Sequence, residues 1–163
     1  MELSREVQLL VDGCKKWEEA VDRFRALGLY SEEDYEPLRC VVSKSGWAEI
    51  VVGSAPGHRT RIDMRKKTLE YYDTDNNVNE VMADLLRDAG ADCNIRDDGV
   101  FCNIEKADVL DLFPRLAAAT SMDYRLGSPR DFWKRAGIDL SECEGYRDEK
   151  FELCAVKKVL EEI

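Results

Sequence analysis

The sequence has a single histidine, His58, and this scarcity limits the chemistry that can be expected of it. Acid–base catalysis by imidazole and Cys–His nucleophilic catalysis would both have to use this one residue. No nucleophile is paired with it in a known motif, and the chain contains no GxGxxG, HExxH or GxSxG pattern. We therefore expect a non-enzymatic protein, and keep an enzyme built around His58 as an alternative.

The chain also lacks any Cys-x-x-Cys pair, although it has six cysteines, so the spacing typical of zinc sites is absent. Its N-terminal residues do not resemble a secretory signal peptide, and no uncharged apolar run is long enough to cross a membrane. We therefore expect a soluble cytoplasmic protein with free thiols, no metal, no cofactor and no membrane contact. The cysteines are Cys14, Cys40, Cys93, Cys102, Cys143 and Cys154.

Basic residues are in the minority, with 24 Lys and Arg against 34 Asp and Glu, which gives a net charge of −10. Such a balance disfavours nonspecific binding to nucleic acid and favours a basic partner. We hypothesise an acidic binding or inhibitor protein that acts on a basic partner, such as a nucleic-acid-processing enzyme, by mimicking its substrate. The acidic residues assigned to this role are Glu32, Glu33, Asp34, Glu36, Asp73, Asp75, Asp139, Glu142 and Glu144.

The strongest strand signals lie in the central part of the chain. Residues 47–52 are nearly all apolar, which is typical of a strand in the middle of a sheet. Residues 58–65 alternate instead, with apolar side chains on one face and mainly arginines on the other. Together with residues 38–43 and 68–73, they predict a four-stranded antiparallel meander.

A turn at residues 66–67 joins the last two strands of this meander. Whether the turn has two residues or four, we expect Met64 to pair with Leu69 and Ile62 with Tyr71. This pairing places the apolar side chains of both strands on one face.

The segment from residue 59 to residue 67 has five basic residues and one acidic residue, a charge of +4, so the rest of the chain carries −14. Arginine forks match phosphates, and Tyr72 is placed to stack on a base. The alternative function is therefore a nucleic-acid or phosphate-ligand binding module. An ordinary solvated strand face, with Arg61 bridging diagonally to Glu70, explains the same charges. The residues assigned to this basic face are Arg59, Arg61, Arg65, Lys66, Lys67 and Tyr72.

Residues 73–80 have Asp or Asn at alternate positions, as in a calcium-binding loop. The sixth position is Val78, where an EF-hand needs glycine, and the twelfth is Asp84, where it needs a bidentate glutamate. Asn77 instead begins a capping box for a helix. We therefore predict a helix over 78–89 and no metal site.

Residues 91–105 have the clearest hairpin pattern in the chain. A type I′ turn at residues 98–99 would place Cys93 opposite Ile104 and diagonal to Cys102. This register implies no disulfide between the two cysteines.

Helical periodicity marks both ends of the chain. A long N-terminal helix begins at the N-cap Ser4, and a final helix covers roughly residues 148–163. We predict a single α+β domain over residues 1–163, in which helices pack on an antiparallel meander and a second hairpin. An alternative makes residues 122–163 a separate helical lobe. The pattern leaves open whether the meander and the hairpin join one sheet.

Overall fold

The computed structural model describes residues 4–29, 38–52, 59–124 and 128–163, and its fold is α+β. The helices in these residues are α1 (Arg5–Ala26), α2 (Asn76–Arg87), α3 (Val109–Tyr124), α4 (Pro129–Trp133) and α5 (Asp148–Glu161). The strands are β1 (Leu38–Ser43), β2 (Trp47–Val52), β3 (Arg59–Asp63), β4 (Thr68–Tyr72), β5 (Asp92–Arg96) and β6 (Gly99–Asn103). None of these described helices combines the length and the apolar character that crossing a membrane requires.

The meander and the hairpin form one antiparallel sheet. Its strand order is β1-β2-β3-β4-β6-β5, so the predicted four-stranded meander is confirmed and the hairpin extends it. The junction is the pairing of β4 with β6, in which Leu69 lies opposite Cys102 and Tyr71 lies opposite Val100. The whole sheet therefore presents two continuous faces, each built from alternate residues of six strands.

One face of the sheet is buried beneath the helices. Side chains on β2 and β3 alternate strictly between this buried face and the other one. Trp17 and Phe24 of α1 and Phe113 of α3 are fully buried above it. Burial of each such side chain stabilises the fold by roughly 1.5–3 kcal/mol. The buried face includes Ala48, Ile50, Ile62, Leu69, Tyr71, Val100 and Cys102.

The helices α1 and α3 pack closely against each other at Gly13. A Cβ atom on Gly13 would lie 2.2 Å from Cε2 of Phe113, which is far inside van der Waals contact. Glycine therefore lets the aromatic ring pack directly on the backbone of α1. Phe113 is completely buried in this position.

The register predicted for β3 and β4 was wrong by two residues. Ile62 pairs with Leu69, and the connecting turn covers the four residues 64–67. The carboxylate of Asp63 accepts hydrogen bonds from the backbone N–H groups of Arg65 and Lys66, at 2.9 and 3.0 Å, and so stabilises this wider turn. Because side chains alternate with a period of two, the predicted apolar and charged faces are unchanged.

The register predicted for β5 and β6 was also wrong by two residues. Its turn lies at residues 97–98, the first of which has a φ of 40°. Gly99 is part of β6 instead, where a Cβ atom would lie 2.7 Å from the carbonyl oxygen of Tyr71. As a result, Cys93 lies directly opposite Cys102 rather than diagonal to it.

All six cysteines form disulfides, so the prediction of free thiols was wrong. One disulfide joins α1 to β1, one joins the two strands of the hairpin, and one joins residue 143 to α5. Each pair is brought together by the packing or register of separate elements, which no spacing motif in the sequence reveals. Disulfides persist in oxidising surroundings. The six cysteines therefore no longer support a cytoplasmic location. The pairs are Cys14–Cys40, Cys93–Cys102 and Cys143–Cys154.

Replacing Gly13 by alanine should lower the free energy of unfolding by about 1–3 kcal/mol, because the added methyl group displaces the ring of Phe113. This loss should outweigh the roughly 1 kcal/mol that alanine gains over glycine inside a helix. Urea denaturation measures the change, with Gly145→Ala as the matched control because nothing lies within 4 Å of a Cβ atom there. Equal stabilities of the two variants would contradict the close packing of α1 on α3.

The double substitution Cys14→Ala/Cys40→Ala should lower the free energy of unfolding by about 3.5 kcal/mol, because the disulfide closes a loop of 26 residues. Loss of Cys143–Cys154, with a separation of 11 residues, should cost less, about 2.8 kcal/mol. Urea denaturation under oxidising conditions tests this order, and a reducing agent should destabilise the wild type more than either variant. If the reducing agent leaves the free energy of unfolding of the wild type unchanged, the disulfide assignment is refuted.

Candidate binding surface

The face of the sheet opposite the helices is uncovered by any helix or strand of the described residues, and we call it the open sheet face. Of its eighteen side-chain positions only Gly99 is buried. The strand registers align these positions in three rows that run across the sheet from β1 to β5. The rows are Arg39-Val51-Arg59-Tyr72-Gly99-Arg96, Val41-Glu49-Arg61-Glu70-Phe101-Asn94 and Ser43-Trp47-Asp63-Thr68-Asn103-Asp92.

The six residues assigned to the basic face lie on this surface or at its end. Arg59, Arg61 and Tyr72 are exposed on the open sheet face. The other three follow in the β3–β4 turn. They are Arg65, Lys66 and Lys67.

The β3–β4 turn meets the β1–β2 turn at the same end of the sheet. The backbone N–H of Met64 donates to the carbonyl oxygen of Gly46 at 2.9 Å, and the side chain of Arg65 lies beside Gly46. Lys44 in the β1–β2 turn therefore belongs to the same basic cluster. We call this cluster the basic rim, and its members are Lys44, Arg65, Lys66 and Lys67.

The guanidinium group of Arg61 stacks on the indole ring of Trp47, with its carbon 4.3 Å from the ring centroid. This is a cation–π contact, and it holds an exposed arginine in a fixed orientation. Arg61 lies directly opposite Glu70 on β4, but within the described part of the chain it forms no ion pair with that carboxylate. The same holds for the four members of the basic rim, so these five cations have no carboxylate partner among the described residues.

Arg59 differs from these cations because it approaches a carboxylate. Its Nη1 atom lies 3.7 Å from Oε1 of Glu49 on the neighbouring strand. The arginine side chain is 59% exposed, and a pair this open contributes less than about 1 kcal/mol to stability. Arg59 is therefore oriented by Glu49 and still accessible from solvent.

Two aromatic rings lie side by side on β4 and β6. Tyr72 and Phe101 meet edge to face, with ring centroids 5.5 Å apart, and Tyr72 is 39% exposed. The Tyr72 hydroxyl donates a hydrogen bond to Oε2 of Glu70 at 3.1 Å. Partial desolvation of the phenol, together with this bond and the charge of Glu70, raises the pKa of Tyr72 above its ordinary value.

Charge is unevenly distributed over the surface. We call the open sheet face of β1, β2 and β3, together with the basic rim, the basic half. It has seven basic and two acidic residues, a net charge of +5. The remaining part, on β4, β6 and β5, has one basic and two acidic residues and holds the Tyr72–Phe101 pair, and we call it the aromatic half.

Two of the residues assigned to the acidic surfaces have structural roles. Asp73 is buried, and its carboxylate accepts hydrogen bonds from the Tyr71 hydroxyl at 2.7 Å and from the backbone N–H of Asp75 at 2.8 Å. Asp75 caps α2 by accepting from the backbone N–H of Asn77 at 2.9 Å. Burial excludes Asp73 from any exposed acidic surface, so this part of the assignment was wrong.

The acidic residues near the C-terminus surround a lysine. Glu142 forms an ion pair with Nζ of Lys158 at 2.6 Å, and its hydrogen bond to that group raises the pKa of Lys158. Asp139 accepts from the backbone N–H of Ser141 at 2.9 Å, and this hydrogen bond lowers the pKa of its carboxyl group. Glu144 is exposed. Part of the acidic charge is therefore locally compensated.

Five predicted site residues lie outside the residues that the structure describes. They are Glu32, Glu33, Asp34, Glu36 and His58.

A separate cleft of about 450 Å³ lies where α1, α3 and α5 meet. Four of its charged residues are paired with one another: Lys157 with Asp88 at 2.6 Å, and Arg115 with Asp111 at 3.1 Å. An incoming ligand would have to break these pairs. The open sheet face and the basic rim offer several cations with no carboxylate partner among the described residues, whereas the cleft offers one, Lys16, which makes the sheet face the stronger candidate.

Sequence reasoning missed several members of this surface. Trp47 and Phe101 follow the same alternation as the charged residues of their strands, and this alternation is the only signal that could have included them. Their positions beside Arg61 and Tyr72 depend on the pairing of β2 with β3 and of β4 with β6, which a sequence pattern does not determine. No family model, curated protein or solved structure matches the chain, so the surface is assigned from its own geometry.

The substitution Glu70→Gln should lower the pKa of Tyr72, because it removes the negative charge that stabilises the protonated phenol. The ultraviolet absorbance difference between the wild type and Tyr72→Phe isolates this phenol, and Asp92→Asn is the control on the same face. The raised pKa of Tyr72 stabilises the folded state. This contribution is fully present below about pH 10, the pKa of an unperturbed tyrosine, and is lost as the pH rises through the pKa of Tyr72 in the folded protein. An identical titration in Glu70→Gln and the wild type would show that Glu70 does not act on Tyr72.

Proposed function

We propose that this protein is a non-catalytic binding module that holds a polyanionic ligand on the basic half of the open sheet face. The observation that supports this most directly is the set of five cations, Arg61 and the four members of the basic rim, that lack a carboxylate partner among the described residues. Arg61 lies directly opposite Glu70, where an ordinary solvated strand face would be expected to pair the two charges across its strands. These cations are instead accessible to an external anion.

The distribution of charge supports specific placement of the ligand rather than general attraction. The chain carries −10 in total and the basic half carries +5, so the remainder carries −15. A polyanion is therefore repelled by most of the molecule and attracted by one region. Arginine provides planar donors that bind phosphate or carboxylate oxygens in pairs, and the Trp47 ring fixes one of them in advance.

The net charge of −10 supports a second proposal, an acidic protein that inhibits a basic partner. Within the described residues its surface would consist of Asp75, Asp139, Glu142 and Glu144, since Asp73 is buried. The other acidic residues assigned to it, Glu32, Glu33, Asp34 and Glu36, lie outside the described residues. Binding to a cationic protein that is abolished by Glu142→Lys/Glu144→Lys would favour it over the polyanion proposal. An enzyme based on His58 remains a hypothesis, because that residue lies outside the described residues.

The three disulfides bear on where this function takes place. Most disulfide-bonded proteins fold in an oxidising compartment, because cytoplasmic reductants keep thiols reduced. We therefore favour an oxidising compartment over the cytoplasm as the site of folding.

The substitutions Arg61→Glu/Arg65→Glu should weaken binding to a polyanion and reduce its dependence on salt. Five cation contacts give a slope of log Kobs against log salt of about −3.5, and loss of two gives about −2.1. Fluorescence anisotropy with labelled heparin and a labelled 20-nucleotide single strand, at several salt concentrations, measures both quantities.

The control variant Lys15→Glu/Lys134→Glu changes the net charge equally at exposed sites away from the sheet and should bind like the wild type. If the wild type binds neither polyanion at low salt, or if both double variants lose affinity equally, the basic half is not the binding site.

A further inference from the structure

Resting on the proposed function, we infer that the polyanion is a single-stranded nucleic acid, whose phosphates lie on the basic half while its bases stack on the aromatic half. The juxtaposition that leads to this inference is the contact of the two halves along β3 and β4. There, Arg59 lies opposite Tyr72 on the neighbouring strand, and Arg61 lies opposite Glu70. A cation and an exposed ring are thus neighbours on the same surface.

The composition of the open sheet face argues against a protein as the main occupant. Eight of its eighteen positions are charged, whereas the centres of protein–protein interfaces are depleted in charged residues. Interfaces with nucleic acid are more polar and tolerate many charges and bridging waters. The charged positions are Arg39, Arg59, Arg61, Arg96, Glu49, Asp63, Glu70 and Asp92.

The carboxylates within the basic half do not cancel its attraction for phosphates. The Asp63 carboxylate is occupied by two backbone N–H groups of the β3–β4 turn. Glu49 approaches Arg59 and orients it. Both carboxylates therefore have partners inside the protein, while the cations of the rim remain available.

The aromatic pair distinguishes nucleic acid from other polyanions. Tyr72 and Phe101 meet edge to face, so one ring uses its edge and the other uses one face in their mutual contact, and the guanidinium carbon of Arg96 lies 5.6 Å from the Phe101 centroid. A base stacked on an aromatic side chain improves affinity roughly 5- to 150-fold and does so with little regard to sequence. Heparin and acidic peptides have no aromatic bases to exploit these rings.

The shape of the surface favours a single strand over a duplex. A six-stranded sheet is too wide for a major groove, which admits a helix or a two-stranded ribbon. Bases in a duplex also present only their edges, whereas a single strand can turn its bases flat onto a ring. Neighbouring strands are about 4.8 Å apart, so a chain crossing from β3 to β6 passes from cations to both rings within about 10 Å.

Glu70 determines on which half of the open sheet face the backbone of the nucleic acid lies. It lies in the row between Arg61 and Phe101, and its carboxylate accepts the Tyr72 hydroxyl. A phosphate placed over the aromatic half would meet this negative charge, whereas an uncharged base would not. The backbone is therefore directed to β1–β3 and the bases to β4 and β6.

The test compares ligands and variants by fluorescence anisotropy. The ligands are a labelled 15-nucleotide oligothymidylate, a duplex of the same length, heparin and polyglutamate. The variants are Tyr72→Leu/Phe101→Leu, which keeps apolar side chains on the strands, and Tyr146→Leu, an exposed tyrosine elsewhere as the control. Circular dichroism and urea denaturation confirm that each variant is folded.

We expect the wild type to bind the single strand at least 10-fold more tightly than the duplex or polyglutamate. Tyr72→Leu/Phe101→Leu should weaken single-strand binding by 25-fold or more, since two stacking contacts are lost, and should leave the affinity for heparin and the salt dependence unchanged. Tyr146→Leu should behave like the wild type.

Three results would overturn the inference, and they can be told apart. Equal affinity for single strand, heparin and polyglutamate, with no effect of the aromatic variant, would leave a polyanion-binding module without a preference for nucleic acid. Binding of the duplex as tight as that of the single strand would exclude stacking as the source of recognition. Absence of binding to all four ligands would refute the proposed function itself.

Discussion

The close packing of α1 against α3 at Gly13 is the contact on which the arrangement of the molecule depends. The ring of Phe113 there fills the space that a Cβ atom would occupy. The helices that cover the apolar side chains at alternate strand positions are α1, which lies against β1 and β2, and α2, which lies against β5 and β6. The other set of alternate positions is left exposed, and it is there that the cations and aromatic rings of the open sheet face lie.

Two of the three disulfides secure the outer strands of the sheet. The strands at its edges are β1 and β5, and each carries a cysteine bonded to a neighbouring element: Cys40 to α1 and Cys93 to β6. Edge strands lack a partner on one side and are the first parts of a sheet to open. Their attachment keeps all three rows of the open sheet face in register, and a surface held in its binding geometry loses less entropy when a ligand docks.

The sequence pattern predicted the elements better than the contacts between them. Alternation at Thr60, Ile62 and Met64 identified the buried face of β3, because that pattern survives any register shift of two residues. Because the pattern does not distinguish registers that differ by two residues, it also did not reveal that Cys93 lies opposite Cys102 and forms a disulfide with it. The basic residues of β3 and its turn were recognised because they are adjacent in the chain. Phe101 was not connected with Tyr72, because nothing in the chain between them indicates that β4 pairs with β6.

The most direct test of this account is a map of backbone amide chemical shifts by NMR during titration with the 15-nucleotide oligothymidylate at low salt. We expect the largest changes on the strands of the open sheet face, around Arg61 and Tyr72, and in the basic rim. The amides of α1 and α5 on the opposite side of the molecule should change little. Changes concentrated on those helices, with the sheet unaffected, would contradict the central claim that the uncovered face is the binding surface.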